Sequence, residues 1–550
     1  MARHVRQRGA AFVLAMLLLF AAVGVVLAVE LAASSTAAQR DRVSDRALAQ
    51  AREALIAYAT DRPINSSVGP GYLPCPDLDD DGWAEATCGS QNGDSGQSER
   101  LGRLPWKTLG LPDLRDGHGE RLWYAVSSKY KGLLNCAVSR ACLDMTPDAA
   151  LGTITVRDSA GTILHDGAVA EAYRANAGGA VAVVIAPGPP LARVQLDGKR
   201  AEQVRACAPG ECDATGRCLT DPPQRSARCN PLNYLDAAPG ARFGDEDNAD
   251  FRDRNDAAGR AQNRNGFIHG PVVLPDGTLA VNDRLTAIGY RDIMPRIMAR
   301  VALEVSHCLR YYASRPENGG RYPWPTPACA QESADPLLAW RGRREVYFGR
   351  VPDAPFGDSA AHGRLDRWWR AAARSPENLA ELPTRDDACR IALAPDDAGP
   401  QRSRPPGTPA DEGRTAGRSE NSWWTAWKPF VFYALAHGFA PASPEPPACT
   451  AQSACLDLVE PSGRVLATQK HFAVLVAGAP LVREGLVQSR WAANVAQVRE
   501  WLEETNAQLE SAGSCPGSPP RFTCEALGTC NRVTVAAASR GFNDVVLPFP

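Results

Sequence analysis

Residues 10–29 form an uninterrupted apolar run, preceded by Arg3, Arg6 and Arg8 and followed by Glu30. About twenty apolar residues in helical form reach across a bilayer, and a basic flank stays on its cytoplasmic side. The pattern predicts a membrane anchor over 10–30, with everything after it exported. A cleavable secretory signal is the competing reading, because the Ala-rich stretch 32–38 offers a small-residue cleavage site. Beyond the run the periodicity changes. Val43, Ala47, Ala51, Leu55 and Tyr58 recur at three- and four-residue steps and predict a helix over 42–59. Ile293, Ile297, Val301, Val305, Cys308 and Tyr312 predict a second over 292–312. Arg62-Pro63 and Arg315-Pro316 stop them, since proline lacks an amide hydrogen and collides with the preceding turn. Short β-rich runs at 153–156, 162–164, 182–187, 456–459, 465–467 and 473–477 lie between turn residues, and the first and second pairs read as hairpins at 153–164 and 456–467.

The pattern occurs twice. Gly71-Tyr72-Leu73-Pro74 answers Gly320-Arg321-Tyr322-Pro323, and Gly102-Arg103-Leu104-Pro105 answers Gly349-Arg350-Val351-Pro352. Trp123-Tyr124-Ala125-Val126 answers Phe432-Tyr433-Ala434-Leu435, and Val281-Asn282-Asp283 answers Phe542-Asn543-Asp544. Matches in one order imply a duplication. The expected fold class is α+β: a long N-terminal transmembrane helix, then two tandem heads, each a helix packed on a small antiparallel sheet. The first head takes 31–290 and the second 291–550. Residues 396–421 read as a solvated insertion rich in Pro, Gly and Arg, and 245–256 as an acidic loop.

Lys and Arg number 60 against 62 Asp and Glu, a net charge of -2 that offers nothing to nucleic acid. Sixteen cysteines without paired CxxC motifs or spaced histidines point to disulfides formed outside the cytoplasm. Cys136 with Cys142, and Cys449 with Cys455, share one spacing and are the first candidates; Cys212 with Cys218 and Cys524 with Cys530 come next.

Arg6-Gln7-Arg8-Gly9, directly before the apolar run, resembles the processing site of type IV pilins and type II secretion pseudopilins. The resemblance implies cleavage by a prepilin peptidase between Gly9 and Ala10, and packing of the apolar helix in the inner membrane or among other pilin or pseudopilin subunits. It also implies a single-pass placement, with the N-terminus cytoplasmic and the heads periplasmic, or assembly into a periplasmic or cell-surface filament. Ala10 stands where the family usually has an aromatic residue, and Leu14 where it usually has glutamate. Lack of that carboxylate, with two heads on one helix, suits a minor subunit at the filament tip. The function expected is thus non-enzymatic. The alternative is a signal-anchored periplasmic enzyme, or a ligand-binding protein or adhesin.

Asp77-Leu78-Asp79-Asp80-Asp81-Gly82 has the D-x-D-x-D-G form of a calcium loop, with Glu85 as a further oxygen donor. Cys88 occupies the twelfth position, where an EF-hand has glutamate, and a Cys75–Cys88 disulfide could close the loop instead. A solvated acidic turn is the bland reading, although the pseudopilin resemblance also implies calcium. Gly93-Asp94-Ser95-Gly96 and His362 echo fragments of a serine-protease triad, in reversed order and without a third member. Trp368, Trp369, Trp423, Trp424 and Trp427 fit core packing or an adhesive surface.

Overall fold

The computed structural model describes residues 5–61, 70–88, 100–127, 130–131, 145–169, 171–219, 227–251, 266–314, 316–328, 340, 342, 346–352, 423–441, 446–449, 455–490, 497–503, 506, 532–536 and 542–550. Helix α1 runs without a break from Val5 to Asp61, 57 residues. At 1.5 Å per residue that is a rod about 85 Å long. Only its C-terminal part enters a core: Ala47, Leu48, Ala51, Leu55, Ile56 and Ala59 are buried, one stripe at helical spacing. Val43, expected on that stripe, is exposed. Residues 36–43 are exposed too, as are Met16, Leu17, Leu19 and Phe20 further up the rod.

Helix α2 spans Tyr290–Ser314. Its N-terminus is fixed by Asp292, whose carboxylate accepts the Gly289 amide at 2.8 Å. Arg300 donates to the Thr60 carbonyl at 2.9 Å, placing a cation at the C-terminal end of α1, where the helix dipole favours it. Arg52–Asp292 at 2.7 Å and Arg296–Glu53 at 3.0 Å also link the two helices.

Strands are numbered in chain order. In the first half β1 (Leu101–Arg103), β2 (Trp123–Val126), β5 (Ala182–Ala186) and β13 (Arg284–Ile288) form an antiparallel sheet in the order β1-β2-β5-β13. A smaller sheet pairs β3 (Thr155–Arg157) antiparallel with β4 (Ile163–His165) and parallel with β10 (Gly266–Ile268). Two-strand ladders complete it: β6 (Ala192–Val194) with β7 (Arg200–Glu202), β8 (Ala237–Ala238) with β9 (Glu246–Asp247), and β11 (Val272–Val273) with β12 (Leu279–Val281). In the second half β14 (Phe348–Arg350), β15 (Val431–Leu435), β18 (Phe472–Val476) and β22 (Val545–Phe549) repeat the four-stranded order. There β16 (Leu456–Val459) pairs antiparallel with β17 (Val465–Lys470) and parallel with β21 (Arg532–Thr534), and β19 (Val482–Arg483) pairs with β20 (Leu486–Val487).

Burial explains the strand sequences. Ala182, Val184 and Ala186 of β5 face a core shared with α1 and α2, while Val183 and Ile185 face a second core containing Ile154, Val156 and Phe267. A strand covered on both faces reads as a continuous apolar run, here AVVIA, rather than an alternation. The helix core continues through α2 into the second-half sheet, so one hydrophobic cluster joins both halves.

Two expectations are corrected. No helix among the described residues is long and apolar enough to cross a membrane, which overturns the transmembrane segment at 10–30 and the single-pass inner-membrane placement. The rod that contains the apolar run also carries Arg6, Arg8, Glu30, Arg40, Asp41 and Arg42. The α+β class of a transmembrane helix and two simple helix-on-sheet heads is overturned as well. Most of the described fold is short strands in several small sheets, including parallel pairs between β3 and β10 and between β16 and β21. Part of the expected acidic loop is structured: Glu246 lies in β9, buried, and pairs with Arg157 at 3.1 Å.

Candidate functional site

The acidic loop of residues 77–85 lies beside the β1 edge, where Asp77 and Arg103 exchange backbone hydrogen bonds. Its turn is built around the Asp77 carboxylate. Oδ1 accepts the amides of Asp79, Asp80 and Asp81 at 3.2, 2.7 and 3.3 Å, and Oδ2 that of Gly82 at 2.7 Å. Such a tight turn demands Gly82, at φ 88°; a Cβ there would lie 2.7 Å from the Trp106 Nε1. A Cys75–Cys88 disulfide closes the loop. Burial pushes the Asp77 carboxyl up to about 7, helped by the negative charges of Asp80, Asp79 and Asp81 and opposed by the Gly82 hydrogen bond. Burial likewise raises Glu85.

Asp77, Asp79 and Glu85 each bring a carboxylate oxygen within 4.8 Å of the others. An all-oxygen set of this kind suits a hard divalent cation such as calcium. Asp81, expected as a ligand, instead accepts the Trp83 amide at 2.7 Å and is not part of that group. Arg217 donates to Asp79 Oδ2 at 2.6 Å, so a cation would share Asp79 with a guanidinium.

Asp80 turns the other way, into a group of arginines. Its carboxylate is 1% exposed and accepts from Arg121 Nη1 at 2.8 Å and Arg228 Nε at 2.6 Å, with Arg103 Nε 4.0 Å away. Arg103 is held between the rings of Trp123 and Tyr234, 4.3 and 4.0 Å from their centroids. Its Nη1 donates to the Arg121 carbonyl at 3.0 Å and its Nη2 to that of Arg228 at 3.1 Å. Beside it is a cavity of about 300 Å³ lined by Asp80, Glu120 and five arginines.

Much of this frame recurs in the second half. Arg350 is fully buried on Phe432 and Trp501, 3.7 and 4.7 Å from the ring centroids. Arg205 donates to the carbonyls of Gly188, Asn233 and Tyr234 and to Gln203 Oε1, at 2.7, 3.1, 3.4 and 2.8 Å. Arg490 does the same to Gly478, Glu500, Trp501 and Gln488 Oε1, at 2.7, 3.0, 3.3 and 3.5 Å. Asn248 clamps both backbone groups of Ile268, and Asn506 clamps those of Thr534. Each half also buries two facing carboxyls. Asp283 accepts the Asp236 amide at 2.8 Å, and Asp544 accepts the Glu503 amide at 3.0 Å. Burial lifts all four carboxyls; Asp236 reaches about 6.

Gly9 and Ala10 lie within α1, so the expected cleavage site is helical here. Cys449–Cys455 is a disulfide, as is Cys75–Cys88. Cys212 and Cys218 do not pair with each other; they bond to Cys207 and Cys229 across a bridged turn. The disulfides fit an oxidising, non-cytoplasmic compartment. Trp424 and Trp427 are buried, which removes them from any adhesive surface. Cys136, Cys142, Cys524, Cys530, residues 93–96, His362, Trp368, Trp369 and the insertion 396–421 lie outside the described residues. The arginine–aromatic stacks and carboxyl pairs escaped the sequence reading. Their signal was present in the repeated Gly-Arg-x-Pro and Asn-Asp pairs, polar residues duplicated where apolar ones would serve packing. Comparison with protein-family models, curated proteins and solved structures finds no match to this chain.

Proposed function

We propose that this chain is a non-enzymatic, minor subunit of a pilin- or pseudopilin-type filament, cut by a prepilin peptidase between Gly9 and Ala10. The observation that carries the reading is the rod. Before Ser44 every described side chain of α1 is exposed, including Met16, Leu17, Leu19 and Phe20 at 50%, 62%, 65% and 65%. Four large apolar side chains within five positions, left in water, lose roughly 1.5–3 kcal/mol each relative to burial. Equivalent rods of neighbouring subunits would cover them, as facing helices do in a bundle. The two halves are then carried at the far end of the stem, joined to each other by a common core. A cysteine at position 17 tests this: Leu17→Cys should crosslink to a neighbouring subunit in cells of the native host. A monomer unchanged by oxidant, with Leu17→Cys present at wild-type level, would contradict the reading.

The acidic loop is proposed to hold one calcium ion through Asp77, Asp79 and Glu85, supported by the convergence of their oxygens. Such an ion would offset the crowding of carboxylates around buried Asp77. Calorimetry on chelator-treated protein should give saturable heat with calcium, abolished by Asp79→Asn. Absence of heat in the unmodified protein would refute the site.

A further inference from the structure

The cavity beside Arg103 holds more positive charge than its frame requires. Arg103, Arg115, Arg121, Arg205 and Arg228 line it, with Asp80 and Glu120 as the acidic members, and Asp113 binds Arg115 and Arg121 from behind. Five guanidinium groups against three carboxylates leave two positive charges around one concavity. Arg205 and Arg103 belong to the frame that Arg490 and Arg350 repeat, and in the second half Arg350 is sealed at 0% exposure. Among the described residues of the second half no arginine repeats Arg115, Arg121 or Arg228.

We propose that this cavity binds a small oxyanion, the carboxylate, phosphate or sulfate group of a solute or sugar. Donors remain for it. Arg228 binds Asp80 through Nε, and among the described residues nothing accepts from its Nη groups. That planar Nη pair matches an oxyanion in a bidentate way that lysine does not. The walls are braced in advance. Cys207–Cys212 and Cys218–Cys229 fix the segments that carry Arg205 and Arg228, and Cys75–Cys88 closes the loop that carries Asp80. Pre-organisation of this kind reduces the ordering cost of binding. The cavity has room for about ten waters at roughly 30 Å³ each, the size of a single sugar or citrate rather than a chain.

The test is calorimetric titration of the full chain, at low ionic strength where charge pairing is least screened, with inorganic phosphate, sulfate and citrate in turn. At least one should bind saturably with a Kd of about 1 mM or tighter. Arg228→Gln and Arg115→Gln should each weaken it about ten-fold. Arg464→Gln, at an exposed surface pair with Glu460, should leave it unchanged. Arg115 is 44% exposed, so its variant retains the fold if Arg228→Gln does not. A preference for citrate assigns a carboxylate ligand, and one for phosphate or sulfate a ligand bearing that group. No saturable binding by any of the three, or equal weakening by Arg464→Gln, would overturn the proposal.

Discussion

The two halves share a frame and differ in what is set on it. Both stack a buried arginine on two rings, both hold a second arginine against four backbone or side-chain oxygens, and both bury a carboxyl pair. In the first half the frame opens into a cavity and meets the acidic loop. In the second it is closed: Arg350 lies under Phe432 and Trp501, and Thr326 takes the place by the strand edge that Asp77 has in the first. Residues that recur in both halves therefore hold the sheets together. Residues added to one half are where a ligand site has to be sought.

The largest effect expected from this comparison is at the two stacked arginines. Arg350→Ala empties a fully buried position and should cost about 3–5 kcal/mol in urea unfolding, in the range of large core truncations. Burial, and then the nearby charge of Arg490, depress the Arg350 pKa well below its usual value. Arg350→Met should therefore recover most of the loss, because it fills the space without a buried charge. Arg103, 3% exposed, borders the cavity, where water can reach the two carbonyls it leaves, and Arg103→Ala should cost less, about 1.5–3 kcal/mol. Equal losses at Arg103 and Arg350 would break the contrast between an open and a sealed frame.

Next is the Cys75–Cys88 bridge. Replacing both cysteines with alanine should cost about 3 kcal/mol, from the chain entropy of a loop of that length. Oxyanion binding should weaken with it, since Asp80, which holds Arg121 and Arg228, sits on that loop. A variant that unfolds normally and keeps full binding would separate the loop from the cavity.

A smaller effect should appear in both halves alike. A carboxyl raised on folding holds its proton more tightly in the folded chain than in the unfolded one. Its contribution is fully present below the unfolded pKa of about 3.9 and is lost as pH rises through the folded value. Asp236, lifted to about 6 by burial, places the window at pH 4–6 in the first half. Asp283→Asn removes the partner carboxyl, itself raised by burial and then by the charge of Asp236, and should flatten stability against pH over that window. Asp544→Asn should flatten the equivalent slope in the second half, because it removes a carboxyl raised by burial and then by the charge of Glu503. An unchanged pH profile in both variants would show that the pairs do not titrate with folding.

Part of this was legible in the chain. The α2 stripe is apolar at helical spacing because it lies between α1 and the second sheet, and AVVIA is unbroken because both of its faces are covered. Other parts left no periodic trace. Strands such as β8, β9, β19 and β20 are two residues long, too short to alternate, and β10 and β21 join their sheets from far along the chain. The cysteine spacing in 207–229 misled, because equal spacing says nothing about which Sγ atoms a turn brings together. The Cys212 and Cys218 backbones bridge across that turn while each side chain bonds outward. Asp77, Asp79 and Glu85 were readable as a group, whereas Arg103, Arg121 and Arg228 meet from 125 residues of chain and carry no shared motif.

The central claim is that the α1 rod is a filament stem produced by prepilin cleavage, and N-terminal sequencing with intact mass on protein from the native host tests it most directly. A chain that begins at Ala10, and no longer does so when Gly9 is replaced, is the result predicted. A chain that begins at Met1 or Ala2, or beyond the apolar run at 10–29, would contradict it.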